Sequence, residues 1–217
     1  MGNELIDKYA FEAVDLIRKK EVSSSELLKA SQERHIEVDE QVNALPYTFY
    51  DKALTKAENI NIDSERLNEK SLLGLPIAVK DYNDVAGVPT TFGSKIFSNN
   101  IPSKSDSTIA RLEQNGALPV AKSNVPEWAG GHTFNPVYGV TKNPFNKNKI
   151  AGGSSGGSSV ALATKQVWLA TGNDLGGSLR TPASFNNIVG LRPSVGVVPR
   201  GLRLSLIHIS EPTRQDS

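Results

Sequence analysis

Between Ala10 and Lys20, Phe11, Val14, Leu16 and Ile17 recur at helical spacing. A second helix is predicted from Ser23. Glu26 stands three positions on and Leu27 and Leu28 follow, which is a capping-box pattern. Asp51 to Ile60 reads as a third, more polar helix, and the charged stretch Asn61 to Ser71 as a surface loop. The texture changes at Gly74. Pro76-Ile77-Ala78-Val79 is a short apolar run ending at Lys80, the pattern of a buried strand. Asp106 to Asn115 predicts a helix capped by Asp106 or Ser107 and stopped by Gly116. Ala117 to Ala121 follows as a strand. Gly152 to Ser159 reads as a glycine-serine loop that leads into a helix over Val160-Ala161-Leu162-Ala163. Gln166 to Thr171 predicts a further strand, and Gly176-Gly177 a turn into another helix. Helices alternating with short apolar strands predict an α/β fold, a mixed sheet core flanked by helices. No internal repeat is visible.

Composition narrows the classes. The 217 residues carry 24 basic and 23 acidic side chains, a formal charge of +1, so no net field points to nucleic acid. Apolar residues make up 38% of the chain without a run long enough to span a bilayer, so no membrane partner is expected. Asn3 through Lys8 is polar and charged, unlike a secretory signal. There is no cysteine, which removes disulfides, thiolate nucleophiles and cysteine-bound metals. A cytoplasmic protein is the simplest expectation.

Three segments carry candidate chemistry. They are Gly74-Leu75-Pro76-Ile77-Ala78-Val79-Lys80-Asp81, then Gly152-Gly153-Ser154-Ser155-Gly156-Gly157-Ser158, then Asp174-Leu175-Gly176-Gly177-Ser178-Leu179-Arg180. Each piece alone has a plainer reading. The glycine-serine stretch could be a flexible linker or a phosphate cradle, although no Gly-Lys-Ser/Thr follows it. A lone lysine is usually solvated, and a serine such as Ser178 is often a helix N-cap. His35, His132 and His208 are scattered without zinc-ligand spacing, and a serine–histidine triad through His132 is a weak alternative. Asp81 and Asp84 could suggest a metal, but two loop carboxylates are usually solvated. Trp128, beside Gly130-Gly131, suits either a pocket wall or core packing.

In this order, with Ser154 and Ser178 standing 24 positions apart, the segments resemble the amidase signature family. The resemblance runs from about Leu73 to Pro199. It takes in Thr90-Thr91-Phe92-Gly93-Ser94, Lys122-Ser123-Asn124 and Gly190-Leu191-Arg192-Pro193. It implies a triad of Lys80, Ser154 and Ser178 that hydrolyses a small-molecule amide through an acyl-enzyme. Ser178 would be the nucleophile, Ser154, in a cis peptide after Gly153, the proton relay, and Lys80 the base. A serine hydroxyl needs an adjacent base, and a lysine can be one only if burial keeps it neutral. The resemblance further implies an oxyanion hole from the N–H groups of Leu175, Gly176, Gly177 and Ser178. Ser155, Asp174 and Arg180 would support the site, with Arg180 paired to a carboxylate such as Asp174. No metal or cofactor is implied. Oligomers are possible but not derivable.

The chain departs from the usual family residues at Tyr82, Asn173 and Phe185-Asn186-Asn187. Two other functional readings stay open. One is the A subunit of an aminoacyl-tRNA amidotransferase, against which Asn124-Val125-Pro126-Glu127-Trp128 argues, because that protein typically carries Met-Asp-Glu-Phe there. The other is an inactive fragment or binding module. Family domains are generally longer, so residues 73–203 are expected to form an incomplete signature core behind an N-terminal helical segment, residues 1–72. Residues 204–217 stand apart. Leu204 to Arg214 matches the translation of a sequencing adapter residue for residue, with a short alternating strand and a loop as the plainer reading. On the adapter reading the native sequence ends near Arg203.

Overall fold

The computed structural model describes residues 2–58 and 72–198. The N-terminal part is helical: α1 (Gly2–Ile6), α2 (Ala10–Arg18) and α3 (Ser24–Val42). The capping box at Ser23 forms as the sequence predicts. The Ser23 hydroxyl accepts the Glu26 N–H at 3.2 Å, and the Glu26 carboxylate accepts the Ser23 N–H at 2.8 Å. α3 ends on Asn43 in the left-handed conformation, at φ 52°. The buried face of α2 is Ala13, Val14 and Ile17, whereas Phe11 is 72% exposed and stacks on Tyr9.

β1 (Tyr47–Thr48), α4 (Tyr50–Ala57) and β2 (Pro76–Lys80) come next. α5 (Ser107–Gln114) leads to β3 (Leu118–Ser123). The hairpin β4 (Phe134–Asn135) and β5 (Gly139–Val140), α6 (Gly156–Ala163), β6 (Leu169–Ala170) and α7 (Arg180–Phe185) follow. The main sheet is mixed, in the order β1-β3-β2-β6. β2 runs parallel to β3 and β6, and β1 is antiparallel to β3. Every residue of β2 and β3 is buried, as expected of central strands covered on both faces. The register slips by one residue between Ile77 and Ala78, opposite Pro119 and Ala121. Pro119 has no N–H to give the ladder, and the skipped Val120 instead accepts the Phe49 N–H at 2.8 Å.

Two apolar clusters flank the sheet. One joins Leu28, Leu45 and Tyr50 to Val120, Val160 and Ala161; the other joins Ile77 and Val79 to Val85, Val88 and Ile109. A third seats α2 against Leu73 and Leu75.

Several expectations are corrected. The helix predicted over Val160 to Ala163 begins at Gly156, so half of the glycine-serine stretch is helical. The strand expected over Gln166 to Thr171 contracts to Leu169–Ala170; the Gln166 N–H is taken by the Ala161 carbonyl at the end of α6, at 2.8 Å. Asp106 precedes α5 but caps nothing, since its carboxylate accepts the Asp84 N–H and the Asn83 amide. Ser178 is not the N-cap of α7; Leu179 holds that position. The loop expected over Asn61 to Ser71 falls outside the described residues, and the adapter-like tail lies wholly outside them.

Candidate active site

Lys80 is the last residue of β2, and its side chain is fully enclosed, at 0% exposure. Its Nζ donates to Ser154 Oγ at 2.7 Å and to Ser155 Oγ at 2.8 Å. Its backbone N–H donates to Thr171 Oγ1 at 2.9 Å. Burial drives the Lys80 pKa well below the ordinary lysine value, and the charge of Asp174 opposes the shift. The amine is thus enclosed with two hydroxyls in reach, and burial disfavours its charged form.

The two serines stand at the turn into α6, where the Gly153–Ser154 peptide is cis. The segment is held by its surroundings rather than being a loose linker. Thr133 gives its N–H and its hydroxyl to the Gly152 carbonyl and accepts the Gly156 N–H, while the Asn124 carbonyl accepts the Gly157 N–H. A Cβ would lie 2.3 Å from the Gly131 carbonyl if placed on Gly153. On Gly156 it would lie 2.1 Å from Thr133 Oγ1, and on Gly157 2.2 Å from the Asn124 nitrogen. These glycines are there because neighbouring atoms occupy the side-chain space.

The third segment is organised around Asp174, whose side chain is fully buried. The carboxylate accepts N–H groups from Gly177 (2.8 Å), Leu179 (3.1 Å) and Arg180 (3.3 Å). The Arg180 guanidinium grips it twice at 3.0 Å, and Arg192 approaches to 3.5 Å. Burial alone would raise its pKa; the Arg180 and backbone hydrogen bonds outweigh that and hold it well below the usual carboxylate range. Gly177, at φ 114°, sits in the region that favours glycine. The Gly177 N–H is committed to Asp174, whereas those of Leu175, Gly176 and Ser178, the other members of the expected oxyanion hole, meet no acceptor among the described residues. A side chain at Gly176 would meet nothing within 4 Å, so that side of the loop is open.

Ser178 is linked to Lys80 through Ser155. Its carbonyl accepts the Ser155 N–H at 3.1 Å, and the Ser155 hydroxyl reaches the Asn173 carbonyl at 3.4 Å. The structure thus brings Lys80, Ser154 and Ser155 into direct contact, with Ser178 adjoining through the backbone. It makes no hydrogen bond between the Ser154 and Ser178 hydroxyls.

On the other side of Lys80, Asp81 and Asp84 are buried rather than solvated. Asp81 pairs with the equally buried Lys122 at 3.3 Å and accepts from the Thr91 N–H and hydroxyl. Lys122 also donates to the Asn83 carbonyl (2.6 Å) and Thr90 Oγ1 (2.9 Å). Burial pushes the Asp81 carboxyl up and the Lys122 ammonium down, each opposed by the partner's charge. Sequence reasoning gave no role to Lys122, Thr133 or Thr171; only the placement of Lys122-Ser123 in a strand beside Lys80 could have flagged the first. His35 bonds Gln166, and His132 is exposed. Trp128, 42% exposed, stacks on Phe92 instead of entering the core. Asn186, one of the departures from the family pattern, is buried and links α7 to the Ala151 carbonyl and the Ser159 hydroxyl.

Comparison with known proteins identifies relatives of the chain. The sequence model of the Amidase family matches residues 26–208. The A subunit of glutamyl-tRNA(Gln) amidotransferase from Thermoanaerobacter pseudethanolicus is 36% identical over 198 residues, covering 91% of this chain and 41% of that protein. Its counterpart from Gloeobacter violaceus is 40% identical over 186 residues, 85% of this chain and 38% of that one. The chain therefore spans about two fifths of the length of the curated relatives it matches. Among solved structures, a peptide amidase in complex with chymostatin superposes with TM-score 0.83 at 28% identity, over 90% of this chain and 42% of that one. A bacterial aryl acylamidase of the amidase signature family superposes with TM-score 0.82 at 32% identity, over 89% and 41%. By its sequence, its sheet and the order of its serine and lysine segments, the chain belongs to the amidase family.

Proposed function

We propose that the protein hydrolyses a carboxylic amide through an acyl-enzyme on Ser178. The observation that carries this reading is the fully buried Lys80 amine, 2.7 Å from Ser154 Oγ, in a chain of the amidase family. Ser178 Oγ attacks the amide carbonyl carbon, and its proton passes through Ser154 Oγ to Lys80 Nζ. The N–H groups of Leu175, Gly176 and Ser178 take the developing oxyanion. The proton then returns through Ser154 to the leaving nitrogen, and the C–N bond breaks. Water attacks the Ser178 ester, which releases a carboxylate and restores the hydroxyl. Asp174, clamped by Arg180, fixes the loop that carries the nucleophile.

The test is labelling with a fluorophosphonate, mapped by peptide mass spectrometry. Label is expected on Ser178, abolished by Ser178→Ala and strongly slowed by Lys80→Ala. Label elsewhere, or undiminished in Ser178→Ala, would overturn the assignment.

A second reading has its own support. The curated relatives described above are amidotransferase A subunits, 36% and 40% identical to this chain. On that reading the same site would release ammonia within a heteromeric complex. Asn124-Val125-Pro126-Glu127-Trp128 weighs against it. Copurification of stoichiometric partner subunits with the tagged protein from its own host would favour it, and isolation without them would favour the free amidase.

A further inference from the structure

Tyr82 stands two positions after Lys80. Its ring lies under the Lys80 amine, with Nζ 4.8 Å from the ring centroid. The ring is fixed at its far end: the hydroxyl donates to the Pro126 carbonyl and accepts the Ala129 N–H at 2.6 Å. It is also fixed from behind. Tyr82 stacks on Phe92 at 6.2 Å, and Phe92 stacks on Trp128 at 5.7 Å with planes 3° apart. At its near end, Asp81 is held by Lys122 and Thr91. We propose that Tyr82 is a positioning residue whose ring face stabilises the protonated form of Lys80, the form created whenever the lysine takes a proton during the reaction. This rests on the reading of Lys80 as the base.

The attraction is electrostatic. The ring face carries partial negative charge and attracts an ammonium but not a neutral amine. The other groups in hydrogen-bond contact with Nζ are uncharged. Ser154 and Ser155 are neutral hydroxyls, and Thr171 bonds the Lys80 backbone rather than its amine. Asp174 is the remaining carboxylate acting on Lys80, and its charge is shared with Arg180 and Arg192. Asp81 is engaged by Lys122. Around a fully buried amine, the ring therefore supplies a contact that strengthens as the proton arrives.

The test replaces Tyr82 by phenylalanine and then by phenylalanines carrying one, two and three ring fluorines, in the full chain. Fluorine withdraws the negative face while nearly preserving shape, so folding is retained; the backbone amide spectrum checks this. The Lys80 titration is followed by NMR of isotope-labelled lysine, assigned with Lys80→Met. The Lys80 pKa is expected to fall stepwise with fluorination, by about half a unit to one unit across the series. A titration that does not move from Tyr82→Phe to the trifluorinated ring overturns the proposal, because a purely structural tyrosine would behave that way. Fluorophosphonate labelling of the unsubstituted chain is read in parallel. Its failure would count against Ser178 as nucleophile and leave the titration result standing.

Discussion

Lys80 is where a single side chain has the largest consequences. A lysine whose folded pKa is depressed costs the native state most at low pH, where it must be protonated in the enclosure. From the folded pKa up to the ordinary 10.5 the unfolded chain binds more protons, so this residue makes stability rise with pH. Lys80→Met removes the titration. Relative to Lys80→Met, the unmodified chain should gain stability as pH rises towards 10.5; urea midpoints at several pH values measure this, and a constant difference would contradict it. Asp81 and Lys122 form the other enclosed pair. Removing one partner strands a buried charge, so Lys122→Met should cost about 3–5 kcal/mol by urea unfolding, and a double change with Asp81→Asn should recover part of that.

At the scale of elements, the glycines at the start of α6 set how closely that helix approaches the sheet. Gly156→Ala and Gly157→Ala should each prevent a native-like fold or lower the melting temperature sharply, since the displaced neighbours are Thr133 and Asn124. Gly176→Ala, with open space around it, should leave the melting temperature unchanged. Ser23→Ala should cost about 1 kcal/mol through loss of the α3 cap. These cases also show what the sequence could and could not reveal. The cap at Ser23 and the strand ending at Lys80 were legible because each is written in adjacent residues. The true start of α6 was not, because a glycine-serine run has little helical propensity and becomes a helix only where Thr133 and Asn124 receive its first N–H groups. The pairing of Lys122 with Asp81 depends on a contact between segments far apart in the chain, to which a linear reading is blind.

Across the whole molecule, the segment after α7 leaves apolar side chains in the open, with Leu191 79% and Val195 75% exposed. Replacing both with serine should raise solubility without altering the far-UV spectrum; a loss of structure would show that they are packed after all. Among the described residues, no helix is long and apolar enough to cross a membrane. The lysine at the centre of the site belongs to the strand paired on both sides, by β3 and by β6. A strand so placed exchanges its amide hydrogens only when the surrounding domain opens, not through local fraying. Lys80 should therefore keep its geometry until the fold itself gives way, so that loss of Ser178 labelling on heating would track the global melt and show no earlier step.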